Sequence, residues 1–309
     1  MKIIQSIILG LIQGATEFLP ISSSGHLVIF PYLFRWESPP LYFIVTVHFA
    51  TLASVVTVFY REIYRIIKAV ILGIFIKNKR KSNNFKLGIF LIIASIPAAI
   101  AGFFLDDYFE GLFTKPLAAA GFLLVTALFL WLGELRGKKV EKKMAGDAPG
   151  TKKTMDGDYS GITAGNRIIK GDIGNGKIGF NSLIAIMTGI GQALAIFPGV
   201  SRSGATISFA RFYGIKRVEA VRFSFLLSVP IIFGSFVFEL YRSSDIIFNG
   251  GIQVGQNLAA GFIAAYSAGL LAVKFIIFLT RKRNLNIFAI YCVCLALAVA
   301  GFYLISKII

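Results

Sequence analysis

The chain has 309 residues, of which 56% are hydrophobic and 15% charged, and its mean hydropathy is +0.75. Apolar runs of about membrane-spanning length recur along it, which excludes a soluble enzyme and predicts an integral membrane protein. A net charge of +17 would suit a nucleic-acid binder. The basic residues instead cluster between the apolar runs, as the positive-inside rule expects of cytoplasmic loops, so no nucleic acid is expected as a partner.

Residues 1–34 are apolar but broken by Gly14, Pro20 and Gly25, a pattern that fits two short helices and a turn better than one clean span. Pro20 cannot continue a helix, and Ser22 to Ser24 can cap the next one. This predicts a re-entrant hairpin, which a membrane tolerates only where protein or a cavity buries it. No cleavable signal peptide is expected, because the polar stretch interrupts the first apolar run.

Six full spans follow from hydropathy: Leu41 to about Tyr60, Leu87 to Leu105, Pro116 to Leu132, about Val221 to Leu240, Asn257 to Thr280, and Leu285 to Ile305. The helix that starts at Leu41 is expected to continue into the stretch 61–86, which carries Arg61, Arg65, Lys68, Lys77, Lys79, Arg80, Lys81 and Lys86 against Glu62 alone and is expected in the cytoplasm. Asp106, Asp107 and Glu110 mark an external loop, and the poorly charged stretch Tyr241 to Gln256 a second one. Segment 136–178, rich in Lys, Gly and Asp, is expected to be a flexible cytoplasmic loop. Residues 181–214 form a second broken apolar segment and a second predicted hairpin. Cys292 and Cys294 lie two apart, so on a helix they point about 200° away from each other and cannot share a metal.

The chain repeats itself. Laying GLIQGATEFLPISSSG, from Gly10, on GIGQALAIFPGVSRSG, from Gly189, pairs Gly10, Gln13, Phe18, Ser22, Ser24 and Gly25 with Gly189, Gln192, Phe197, Ser201, Ser203 and Gly204. Further on, VHFATLASV from Val47 matches VRFSFLLSV from Val221. The charge map runs the two halves through the membrane in opposite directions, an inverted-topology repeat whose sites usually lie near the midplane. The expected fold is therefore an all-α membrane protein, one domain over 1–309. Repeat one covers 1–133 and repeat two 181–309, with about six transmembrane helices and two re-entrant hairpins.

Two stretches break the apolar rule. An ionisable group inside membrane-grade sequence costs roughly 3 kcal/mol or more at the bilayer centre, which makes it a functional-site candidate. Gln13 and Glu17, four apart, share a helix face. A carboxylate beside an amide oxygen is a hard-ligand pair, suited to Mg²⁺ or Ca²⁺. Ser23 and His26 are three apart, so the hydroxyl could meet an imidazole able to take its proton. In the second stretch, Ser201 to Gly204 would open a helix with backbone N–H groups and hydroxyls, an anion cradle. Arg202 adds a bidentate donor matched to phosphate oxygens. Glu17 could itself be the anion that Arg202 meets, as a structural ion pair. Metal ligands, a nucleophile with a base, and an anion cradle together suggest phosphoryl transfer or hydrolysis on a substrate with a lipid tail.

The motifs QGATEFLPISSSGH and PGVSRSGAT followed by RFSFLLSVP resemble those of the undecaprenyl pyrophosphate phosphatases of the bacitracin-resistance type. The resemblance extends over nearly the whole chain. It implies a hydrolase that removes the terminal phosphate of a C55 polyprenyl pyrophosphate with a divalent cation, regenerating the lipid carrier for cell-wall polymers. It implies a place in the bacterial inner membrane among its lipids. It implies too that bacitracin competes by sequestering the substrate. The charge map favours an outward-facing site. Carried onto this sequence, the family's metal residues are Gln13 and Glu17, and its catalytic group is Ser23, His26, Glu17 and Arg202. The pyrophosphate contacts are Ser22, Ser201, Arg202, Ser203, Gly204 and Thr206. Either Ser23 attacks with His26 as base, or His26 is the nucleophile. Gln13 departs from several family members, which carry a second glutamate there, so a weaker grip on the cation is expected. Segment 136–178 looks like an insertion. A lipid flippase on the same inverted repeat is the non-enzyme alternative, and the oligomeric state, homodimer included, is left open.

Overall fold

The structure, a computed structural model, describes residues 1–112, 114–146 and 180–308, and among these it contains helices and no strand. Among the described residues six helices are long and apolar enough to cross a membrane. They are α3 (Leu41–Phe75), α4 (Asn83–Glu110), α5 (Pro116–Gly146), α8 (Arg217–Arg242), α10 (Gly251–Lys282) and α11 (Asn286–Ile308). These correspond one for one to the six expected spans and make the chain a multi-pass membrane protein. Their outer faces carry large apolar side chains with no protein cover, among them Ile92 and Ile96 on α4, Leu271 and Phe275 on α10, and Leu297 and Leu304 on α11. Contiguous apolar surface of this extent suits lipid, not water.

Before each half's first long helix stand two short ones: α1 (Ile3–Glu17) and α2 (Ser23–Leu33), then α6 (Ser182–Leu194) and α7 (Arg202–Phe212). At 15, 11, 13 and 11 residues they are too short to span, since 1.5 Å per residue gives at most about 22 Å against a hydrocarbon core of about 30 Å. The turn expected around Pro20 lies between α1 and α2, and Ser22 is the N-cap of α2, its hydroxyl accepting from the Gly25 N–H at 3.1 Å. Ser201 caps α7 in the same way, accepting from the Gly204 N–H at 3.0 Å.

Helix α3 runs on into the basic stretch as expected, as far as Phe75, with a kink at Phe59. Other boundaries differ from the hydropathy reading. Helix α4 continues through the acidic stretch to Glu110. Helix α5 carries the start of the expected loop 136–178 as far as Gly146; residues 147–179 lie outside the described residues. The stretch Tyr241 to Gln256 is helical as well: α8 ends at Arg242, a short α9 (Ser244–Asn249) follows, and α10 begins at Gly251 with φ +76°. Low charge marked that stretch as a loop, but only Ser243 and Gly250 fall between the helices.

The short pairs are held by close backbone approach. Helix α1 packs along α10, and α6 along α4. A Cβ at Gly10 would run into the Gly261 carbonyl and one at Gly14 into the Ala265 carbonyl; at Gly189, the position that pairs with Gly10 in the sequence repeat, it would meet the Ala94 carbonyl. Small residues substitute here for the missing hydrophobic drive between helices in lipid. Gly14→Leu is expected to cost about 1–3 kcal/mol of stability through overpacking. The readout is the thermal unfolding temperature in detergent. Gly121→Leu, whose side chain would enter open space, should leave it unchanged.

A buried ionic cluster fixes the far end of α7. Arg211 is 1% exposed, meets Glu141 at 2.5 Å and Glu134 at 3.7 Å, and donates to the Ile215 carbonyl. Glu134 in turn accepts two hydrogen bonds from Arg217, at 2.7 and 2.8 Å. Helices α5, α7 and α8 are thus pinned to one another, which sets the direction in which α7 presents its N-terminus.

Candidate functional site

The two short pairs face each other at their turns. Gly25 and Gly199 cross so closely that a Cβ on Gly25 would stand 3.0 Å from the Gly199 Cα. Gly199 holds φ +105°, a conformation that favours glycine. Thr126 of α5 fastens this turn, donating to the Gly199 carbonyl and accepting from the Ser201 N–H, both at 2.8 Å. Ser203 of α7 donates to the Leu19 carbonyl at 3.2 Å, a further bond between the pairs.

Glu17, the last residue of α1, is the hub. One carboxylate oxygen accepts from Ser23 Oγ at 2.5 Å and from Gln13 Nε2 at 2.7 Å, with His48 Nε2 at 3.5 Å. The other accepts from Arg202 Nη2 at 2.8 Å. Arg202 comes from α7, so the ion pair joins the two halves of the chain. The second guanidinium nitrogen, Nη1, is buried without a partner, and so is Gln13 Oε1. Buried polar atoms left unpaired are costly, and both belong to side chains bonded to Glu17.

Beside this hub a cavity of about 240 Å³ is bounded by Glu17, Ser22, Ser23 and Ser24 from the first pair and Ser201 and Arg202 from the second. Helix α3 contributes His48, Ile44 and Val45, and α8 contributes Ile231 and Ile232. Because both N-cap serines line it, the positive ends of α2 and α7 flank one space, an arrangement that attracts anions. One side is therefore cationic and hydroxylic, the other aliphatic.

Not every expected residue is gathered there. His26 is 1% exposed and outside the cavity wall: Nδ1 meets the Ser22 carbonyl at 2.6 Å and Nε2 the Tyr291 hydroxyl at 2.7 Å. The expected Ser23–His26 contact is not made, because the Ser23 hydroxyl turns to Glu17. Thr206 faces away too, bonding the Arg202 carbonyl and Ser224 Oγ at 2.8 and 2.7 Å. Ser203 and Gly204 shape the turn without lining the cavity. Sequence reasoning missed His48, Thr126 and Tyr291. His48 carried a usable signal, an ionisable residue within a span, at the position matched by Arg222 in VRFSFLLSV.

Gln13 and Glu17 carry oxygen atoms of the type a hard cation takes, with the Gln13 amide turning its NH2 to Glu17. Gln13 Oε1 has no partner and Glu17 supplies a carboxylate. Among the described residues no group of three His, Cys, Asp or Glu side chains forms a closed metal cage. A site of one carboxylate and one amide oxygen fits a Mg²⁺- or Ca²⁺-type ion that takes its other ligands from water and substrate phosphate.

Fold and site thus define a multi-pass membrane protein with an interior pocket that joins a carboxylate, hydroxyls, an arginine and two helix N-termini. The model of the family described as bacitracin resistance protein BacA matches residues 6–298, and the chain belongs to that family. It is similar to proteins named undecaprenyl-diphosphatase. The one from Moorella thermoacetica is 37% identical over 98% of this chain and 99% of its own length. That from Desulforudis audaxviator is 35% identical over 96% and 95%, and that from Desulfosudis oleivorans 36% identical over 94% and 95%.

Proposed function

We propose that the chain hydrolyses undecaprenyl pyrophosphate to undecaprenyl phosphate and inorganic phosphate, recycling the lipid carrier of cell-wall synthesis. One observation carries the chemistry: Arg202 Nη1, buried and unpaired beside a cavity flanked by two helix N-termini. It is a phosphate donor held in waiting. The aliphatic wall of Ile44, Val45, Ile231 and Ile232 suits the start of a prenyl chain.

Ser23 Oγ attacks the terminal phosphorus and displaces the prenyl phosphate, a good leaving group that needs no dedicated acid. Water then releases inorganic phosphate from the phosphoserine. The hydroxyl proton goes to Glu17, whose oxygen already accepts it at 2.5 Å. Arg202 and the N–H groups opening α2 and α7 neutralise charge on the transferring phosphoryl group. The serine is favoured over His26 as nucleophile because both imidazole nitrogens are engaged away from the cavity. Trapping the phosphoenzyme tests this; label on His26 would overturn it.

Gln13 and Glu17 would hold the divalent cation, which when bound offsets the charge of the pyrophosphate. With an amide in place of a second carboxylate, the protein offers one formal charge fewer. Gln13→Glu is expected to lower the cation concentration needed for half-maximal activation by roughly tenfold, about 1.4 kcal/mol. Equal activation constants would contradict it.

The short helix pairs act as re-entrant hairpins of an inverted repeat in the bacterial inner membrane, with the cavity opening outward. Reporter fusions at Lys79 and Asp107 should then fall on opposite sides of the membrane. The function itself is tested by phosphate release from C55 pyrophosphate in detergent, which a flippase would not give.

A further inference from the structure

Ser22 stands between the hub carboxylate and the nucleophile with φ 68° and ψ 94°. An L-residue with a side chain rarely keeps this left-handed backbone unless its surroundings hold it there. Here the holding group is His26. Its backbone N–H donates to the Ser22 carbonyl at 3.2 Å and its ring Nδ1 to the same oxygen at 2.6 Å. A carbonyl can only accept, so Nδ1 carries the proton. The peptide plane is rigid, and fixing the Ser22 carbonyl toward the helix turns the Ser23 N–H the opposite way, out of the N-terminus of α2.

The other nitrogen is fixed from the opposite end of the chain. Tyr291 of α11 puts its hydroxyl 2.7 Å from Nε2 and lays its ring parallel to the imidazole, 3° between planes with centroids 5.7 Å apart. Phe30 stacks on the imidazole as well, at 5.9 Å. In a neutral ring that carries its proton on Nδ1, Nε2 is an acceptor and the tyrosine O–H is the donor that satisfies it. Among the described residues no carboxylate is bonded to the ring, and a buried imidazolium without an anion would be costly.

We propose that Tyr291 and His26 form a positioning pair for the phosphatase reaction, on which this inference rests. Tyr291 fixes the Nδ1–H tautomer, His26 thereby holds the Ser22 carbonyl, and the strained turn presents Ser23 to the terminal phosphoryl group. Neither residue exchanges a proton with substrate.

Two measurements test the pair. The chain has two histidines, so an untagged full-length His48→Gln protein leaves His26 alone for ¹⁵N imidazole NMR in detergent. The Nδ1–H tautomer is expected, and adding Tyr291→Phe should turn it into a mixture; an Nε2–H tautomer overturns the proposal. In the second, phosphate release is followed against pH in chains that retain His48. His26→Ala should lose about 100-fold in kcat through misplacement of the nucleophile. His26→Asn, whose amide N–H can reach the Ser22 carbonyl, should recover at least about tenfold of that, with the wild-type pH profile. Tyr291→Phe should lower kcat about fivefold, the worth of one hydrogen bond, again without moving the profile. His26→Asn as inactive as His26→Ala in a chain that still shows the wild-type unfolding temperature, or a profile displaced by Tyr291→Phe, identifies His26 as a proton-transfer group and overturns the proposal. If the wild-type chain releases no phosphate, the function is what fails, and the tautomer measurement still decides the pair.

Discussion

Glu17→Gln is expected to reduce phosphate release from C55 pyrophosphate by about 10³-fold or more, within the range seen when an acid–base group or a principal electrostatic group is removed. The size follows from how much converges on one carboxylate. It accepts the Ser23 hydroxyl, the Gln13 amide and the Arg202 guanidinium, and it faces His48. The amide of Gln occupies the same space but cannot take the serine proton. It also leaves the largely buried Arg202 with no counter-charge, which should cost roughly 1–3 kcal/mol of stability. A double variant separates the two effects. In Glu17→Gln with Arg202→Met the orphaned charge is gone, so the unfolding temperature should return toward wild type while phosphate release stays lost. Recovery of activity in the double variant would mean that Glu17 and Arg202 are only a structural ion pair.

Arg202→Lys, which preserves charge, should still lose about 10²–10³-fold in kcat/KM, the cost of one preorganised donor at a developing charge. Arginine spends one nitrogen on Glu17 and keeps the other for phosphate. Lysine is a single point donor and cannot reproduce that fork. Its ammonium would stay with Glu17, so inorganic pyrophosphate should compete more weakly for the site. The check is the inhibition constant of pyrophosphate alongside the rate. Unchanged inhibition by Arg202→Lys would place the substrate phosphate elsewhere.

The six spans, the two broken segments and the motif residues are all legible in the sequence, for local reasons. Membrane helices need continuous apolar runs, so Glu17 and Arg202 stand out where such runs are interrupted. Ser22 and Ser201 read as caps because a helix start leaves N–H groups that a short hydroxyl satisfies. Helix ends read less well. Residues 136–146 and Tyr241 to Gln256 read as loops by charge, yet only Ser243 and Gly250 fall between helices there.

The pairing of Ser23 was misjudged for an instructive reason. Spacing of three presumes that both residues lie within one regular helix and that nothing from outside competes. Ser23 is the first residue of α2, directly after a left-handed Ser22, and its hydroxyl is claimed across the turn by Glu17 at 2.5 Å. His26 is claimed from α11 by Tyr291. Thr206 likewise lies on the right helix but rotates toward Ser224 on α8.

By itself the sequence determined the class of protein, its six spans, the two interrupted segments and the inventory of groups that could meet a pyrophosphate, because hydropathy, capping and spacing act over a few residues. Which of those groups touch was decided by the tertiary structure. The close crossing of Gly25 and Gly199 brings two helix N-termini to one cavity, and residues as far apart as Glu17 and Arg202, or His26 and Tyr291, become bonded pairs. Contacts of that range depend on the packing of α1 on α10 and α6 on α4, and no local pattern encodes the angle at which two short helix pairs meet.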